Sequence, residues 1–492
     1  MISANLVILI AVLYVIVLFA LAYFSERLAE GNRAHFLRSP LVYTLAISVY
    51  CTSWTFYGAV GSAARSGLEF FAIYLGPTLV FVGAWFGLRK LVRVGRNQRI
   101  TSVADLISSR FGKSNRLAVL VTLIAVIGTT PYIALQLKAI TTSLFVISSD
   151  SLIEQTGARL DDNRLALGVA AGMALFTILF GTRNVDAKEQ HHGVVAAIAF
   201  EAVVKLVALV SVGIFVVFGI GGGFGEIFSK AESVGINLYE NGGFGTRWVT
   251  ILVLSAAAII CLPRQFQITV VENSDENHLR TASWAFPLYL FGMSVFTLPI
   301  AIVGLNLLPA GTDPDMFVLT LPLAHNQEAL ALFAFIGGFS SATSMIIIAS
   351  IALSIMVSNH IVMPIALRTP WLANSEDGQG VTQLLLNSRR FSICAVLALG
   401  FLYFWLTNGS GALARIGLIS FSGVAQFLPA IIAALYWRDA TAKGAGVGLF
   451  VGFCVWAYTL FLPSFDETNV AVAQWVANGP FGLAFLRPEA LF

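Results

Sequence analysis

The 492-residue chain is predicted to fold as an all-α polytopic membrane protein built on two inverted five-helix repeats, and three observations predict it. Hydrophobic residues make up 57% of the chain and charged residues 11%, where a soluble domain carries roughly 25% charged residues. About twelve apolar stretches follow one another, each near the roughly 20 residues that cross a bilayer as helix. The second and the seventh are interrupted, and breaks at corresponding positions of two halves point to an inverted-repeat transporter.

The spans lie near 5–24, 41–62, 69–89, 117–147, 164–181, 192–220, 248–272, 282–308, 328–358, 391–408, 412–436 and 443–462. The first lacks the basic start and small-residue cleavage site of a secretory signal and is long enough to span, so it is read as a retained helix. Residues 1–40 form that extra helix and a cytoplasmic loop. Residues 41–220 make the first repeat, 248–436 the second, and 443–492 an additional helix with an external tail.

Orientation follows from the loops. Segment 89–116 holds eight Lys or Arg against Asp105, whereas 148–164 carries Asp150, Glu154, Asp161 and Asp162 against Arg159 and Arg164. The positive-inside rule places the first in the cytoplasm and the second outside, which puts the N-terminus outside. Loop 309–327, with Asp313 and Asp315 and no Lys or Arg, agrees. The chain is expected to be a multi-pass protein with the lipid bilayer as solvent.

Several function classes are excluded. A net charge of +3 over this length argues against nucleic acid as a partner. No Walker A, HExxH, GxSxG or kinase signature is present, and no polar stretch is long enough to bury a catalytic core. The chain therefore reads as a non-enzyme with no cofactor. Cys51, Cys261, Cys394 and Cys454 lack metal-ligand spacing and are read as small core residues. His191 and His192 stand without partner ligands for a metal.

Three segments carry candidate chemistry. In "GGFSSATSMIIIASIALS" (337–354), Gly337, Ser340, Ser341 and Ser344 share one helical face while Thr343 points elsewhere. Such a stripe serves either close helix packing, with hydroxyls bonded back to carbonyls, or a wet site needing oxygen ligands. The segment 41–67 mixes Ser48, Thr52, Ser53 and Thr55 with Gly58 and Gly61, so its helix can open and offer carbonyls. In 254–273, Pro263 removes a donor and disfavours helix at Leu262. Broken backbone at membrane depth is tolerated where it is buried in protein or lines a cavity. Lys138, Glu201 and Lys205 are ionisable groups inside spans; Glu201 and Lys205, four apart, suit an ion pair or a proton relay.

These residues resemble a known family. "FSGVAQFLPAIIAALYWRDATAKGAGVGLFVG" (421–452) is similar to the closing segment of sodium/solute symporters, and "FIGGFSSATSMIIIASIAL" to their eighth core helix. "FGTRNVDAKEQHH" (180–192) looks like a variant of a family loop, with Glu189 and His192 replacing its acid and its glutamine. "VYCTSWTFYG" and "LPRQFQITVVEN" look most like the permease-type sensor module of bacterial histidine kinases, whose relatives couple amino-acid uptake, notably of histidine, to signalling. Those relatives continue into a further helix and a kinase, so the resemblance implies a shortened product, with a natural stand-alone permease as competitor.

The resemblance implies a leucine-transporter-type fold and a cation-coupled (Na+ or H+) amino-acid symporter, with a non-transporting sensor as the alternative. Its possible partners are an amino acid and, in full-length relatives, a kinase domain or response regulator. Carried over by position, a sodium site falls on the carbonyls of Ser48, Cys51 and Gly337 and the hydroxyls of Ser340 and Ser341. The substrate site falls on Tyr132, Gln136, Ser255, Ile259 and Pro263. Ser255 and Ile259 replace aromatic residues of proline symporters, which argues against proline. Tyr50 replaces an aspartate near the sodium site, which loosens the case for sodium.

Overall fold

A computed structural model describes residues 2–30, 36–156, 162–181, 192–236, 245–366, 378–409, 411–483 and 486–488. The regular secondary structure of the described residues is all helix, with no strand. Eight of their helices are long and apolar enough to cross a membrane, and nine with one bent pair counted as a span. The other predicted spans are shorter or broken. The second divides into Pro40–Ile47, a 3-10 turn Ser48–Tyr50, a π-helical turn Trp54–Gly58 and Ala59–Ser66. The third is the 12-residue helix Phe71–Val82, and the fifth is Asp162–Gly181.

Position in the bundle follows from burial. Of the apolar windows in Asn115–Ser148 and Glu328–Ala366, 72% is buried, against 17% for the first and last spans. The two central helices therefore form the core, and the terminal ones lie on the lipid-facing rim. Cys51 and Cys261 are core residues, but Cys394 and Cys454 are exposed, which corrects the uniform core reading: helix faces turned to lipid accept a small apolar thiol. The loop containing Glu189 and His191 lies outside the described residues.

Glycines allow the central helices to touch. A Cβ on Gly337 would sit 2.6 Å from that of Ala208 and 2.8 Å from the Phe56 ring, and one on Gly338 would sit 2.0 Å from the Tyr57 hydroxyl. The glycine pair thus seats Glu328–Val357 against both His192–Ile214 and the π-helical turn.

The two interrupted helices break for different reasons. Leu262 is extended (φ −65°, ψ 127°) because the ring of Pro263 bars helix before it, and the axis bends by 54° there. In the earlier span the helix tightens to 3-10 and then leaves helical geometry at Cys51 (φ −76°, ψ 97°). No proline forces that break. It is held by tertiary partners, described next.

Candidate functional site

At the first break the carbonyls of Ser48 and Cys51 turn toward His192–Ile214. Both accept from the Lys205 ammonium, at 2.8 Å each. Lys205 is completely buried, so its charge depends on such partners. Glu201, one turn earlier and equally buried, accepts instead from the Thr343 hydroxyl at 2.6 Å. The expected contact between the two charged side chains is thus replaced by contacts to neighbouring helices.

The hydroxyl stripe divides its labour. Ser341 donates to the Gly337 carbonyl at 2.9 Å and Ser344 to that of Ser340 at 3.0 Å, the back-bonding a helix in lipid needs. Ser340 donates to the Glu201 carbonyl at 3.2 Å and accepts from Tyr14 of the first helix at 3.0 Å. Thr343, expected to point elsewhere, meets the same neighbour as Ser340. Residues three apart lie about 60° apart around a helix and can both face one partner helix.

The second break adds a group that inspection of the sequence missed. Arg264 follows Pro263, is 1% exposed, and none of its three side-chain nitrogens finds a hydrogen-bond partner. Its guanidinium lies 4.3 Å from the centroid of the Tyr132 ring. Tyr132 stacks on Phe421 (5.6 Å, 10°), and Trp54 packs edge-on against Phe421 at 4.8 Å. Lys205, Arg264 and Glu201 therefore share one buried centre with two cations and one acid. The available signal was an arginine placed directly after a helix-breaking proline inside a span.

Of the other expected substrate residues, Tyr132 and Gln136 belong to this centre. The Tyr132 hydroxyl bonds Thr52 at 2.9 Å, and Gln136 accepts from the Ser53 amide at 3.2 Å. Pro263 forms the hinge that presents Arg264. Ile259 is buried one turn before it. Ser255 faces away, its hydroxyl donating to the Ala72 carbonyl at 2.9 Å where Gly76 lets the two helices meet. Lys138 reaches the Gly411 carbonyl, away from the centre.

Cavities approach the centre from one end and mark the other. One of about 810 Å³ opens among Arg65, Glu69, Arg247 and Asp466 and runs inward to the buried side chains Trp54 and Ile73. At the opposite end a cavity of about 450 Å³ is lined by Arg38, Arg96, Arg99 and His192. Both ends are cross-braced. Arg65 pairs with Asp315 at 2.9 Å, and Asp315 also accepts the Leu413 amide at 3.0 Å; burial pushes its carboxyl up while Arg65 pulls it back. At the arginine-rich end, hydrogen bonds from Arg93 and Arg89 hold the Glu276 carboxyl down at about 2.

No family model matches the chain. Two Bacillus subtilis (strain 168) proteins are similar over most of its length. The uncharacterized symporter YodF is 24% identical over 418 residues, 84% of this chain and 78% of that protein. The uncharacterized symporter YhjB is 22% identical over 422 residues, with the same coverage. Among solved structures, a Na+-coupled sialic acid symporter in a substrate-bound outward-open state superposes with a TM-score of 0.60 at 15% identity, over 93% of this chain and 98% of that one. A manganese transporter of Eremococcus coleocola gives 0.51 at 13% identity, over 88% of each. At such identities the structural likeness shows the fold, which is of leucine-transporter type, and the relatives in sequence are symporters.

Proposed function

We propose that the chain is a cation-coupled amino-acid permease of the bacterial inner membrane, in which the coupling charge is a proton carried by Lys205. One observation carries the reading: the carbonyls of Ser48 and Cys51, exposed by a broken helix, hold an ammonium of the protein's own. With Gly337, Ser340 and Ser341, which the family resemblance adds to them, these carbonyls would make up a cation site. An amine that can lose its proton serves there as a tethered cation, binding when charged and releasing the two carbonyls when neutral. Glu201 on the same helix, Arg264 from the second break, the Cys51 thiol and, through Ser340, the Tyr14 hydroxyl are the titratable or charged groups facing it.

A second reading, in which Na+ displaces Lys205 from the same carbonyls, draws support from the Na+-coupled sialic acid symporter of the same fold. In either case opening and closing of the two broken helices would expose the centre alternately to the two cavities. The arginine-rich end is the cytoplasmic one on the positive-inside rule, which leaves the N-terminus outside. In relatives that carry a kinase, the same equilibrium would report ligand binding to it, and a sensor without turnover is the rival.

The test is uptake of labelled L-histidine and other amino acids into proteoliposomes under a sodium gradient, a proton gradient or neither, with Ser340→Ala and Ser341→Ala as companions. Proton-driven accumulation supports the tethered cation. Sodium-driven accumulation lost in the double variant supports the displaced one. Saturable binding without accumulation selects the sensor.

A further inference from the structure

The centre described above is unbalanced, and the imbalance falls on Arg264. A guanidinium offers five N–H donors and does not lose its proton in proteins. Here it is buried to 1% with all three nitrogens unpartnered. The acid of the centre does not pair with it: Glu201 accepts the Thr343 hydroxyl on one carboxylate oxygen, and its other oxygen bonds neither cation. Lys205 does not compensate Arg264 but adds to its charge. With all three groups ionised the centre carries one excess positive charge, which a membrane protein retains only for function.

Arg264 is also built into position. Pro263 fixes the turn from which it projects, and its guanidinium carbon lies over the Tyr132 ring, 4.3 Å from the centroid. Placed over a ring, a guanidinium keeps N–H donors that can take a planar bidentate acceptor. The same Tyr132 stacks on Phe421, which packs against Trp54, and Trp54 is a buried side chain lining the 810 Å³ cavity. A solute entering there would meet first an aromatic trio and then the guanidinium.

We infer that Arg264 is the receptor for a carboxylate on the transported solute, so that the substrate class is a carboxylate bearing an apolar or planar group seated on Trp54, Tyr132 and Phe421. The inference rests on the permease reading above and narrows it: the carboxylate neutralises the centre, and the anion is required for occupancy.

The experiment measures binding to the purified full chain in detergent, by calorimetry, of each of the twenty proteinogenic amino acids beginning with L-histidine. It then measures the C-terminal amide of whichever binds, for wild type, Arg264→Lys and Arg264→Met. Truncating one partner of a buried charged pair costs roughly 2–5 kcal/mol, so the amide should bind wild type at least about 30-fold more weakly. Arg264→Met should lose binding by a similar factor, and Arg264→Lys should recover part of it. The melting temperature of the unliganded Arg264→Met protein should not fall, because a buried charge without a partner has been removed. The inference is overturned if the amide binds wild type as well as the acid does, or if Arg264→Met keeps its affinity. It is also overturned if Arg264→Met unfolds at markedly lower temperature than wild type, with no amino acid raising the wild-type melting temperature. An amino acid that binds through Arg264 but never accumulates overturns the permease reading alone.

Discussion

Replacing Lys205 by alanine empties the carbonyl cradle, and the consequence can be worked from the geometry. Two hydrogen bonds of 2.8 Å from an ammonium to Ser48 O and Cys51 O are lost. Each bond to a charged group is worth about 1.5–3 kcal/mol, so the gross loss is about 3–6 kcal/mol. Against this, a fully buried ammonium no longer has to be desolvated, which returns several kcal/mol. The net destabilisation should be about 1–3 kcal/mol. The cradle left behind is two backbone carbonyls, oxygen ligands of the kind a hard cation takes. Sodium at 100 times its dissociation constant would restore about 2.7 kcal/mol. The assay is thermal unfolding of detergent-purified protein in sodium chloride and in choline chloride. Wild type should melt at the same temperature in both, whereas Lys205→Ala should melt lower in choline and recover in sodium. A variant as stable as wild type in both salts would refute the tethered cation, and a wild type stabilised by sodium would favour the displaced one.

Two further predictions concern the braces at the ends. A Cβ on Gly61 would lie 1.7 Å from Asp315 Oδ1, and Asp315 is fixed by Arg65 and the Leu413 amide. Gly61→Ala should therefore cost about 1–3 kcal/mol as overpacking and open that end; a melting temperature equal to wild type would contradict this. The Glu276 carboxyl is held at about 2, below its ordinary 4.5. A depressed acid contributes stability above the unfolded value and loses it as pH falls toward the folded one. The melting-temperature gap between wild type and Glu276→Gln should thus be constant at neutral pH, shrink below pH 4.5 and vanish near 2.

What could be read from residues alone has a physical boundary. Pro263 announced its break because a missing N–H acts locally. The break at Cys51 was expected only as a permissive mixture of hydroxyls and glycines, because what holds it open is Lys205, 154 positions away in sequence. Lys205 and Glu201 looked paired since helical spacing allows it, but burial rewards whichever partner completes more hydrogen bonds, and those partners came from other helices. Ser255 was placed by position within a family pattern, and its hydroxyl turns to the Ala72 carbonyl instead. Arg264 was overlooked because a charge beside a proline reads equally as the end of a span; its burial is a property of the assembled bundle.

The most direct test of the central claim is accumulation of L-histidine, or of whichever amino acid binds best, in sodium-free proteoliposomes under an imposed pH gradient, comparing wild type with Lys205→Arg. Arginine keeps the positive charge in the cradle and cannot release its proton. The account predicts uphill uptake by wild type, and binding without gradient-driven accumulation by the variant. Accumulation by Lys205→Arg at the wild-type level, or a wild type that accumulates only when sodium is supplied, would contradict it.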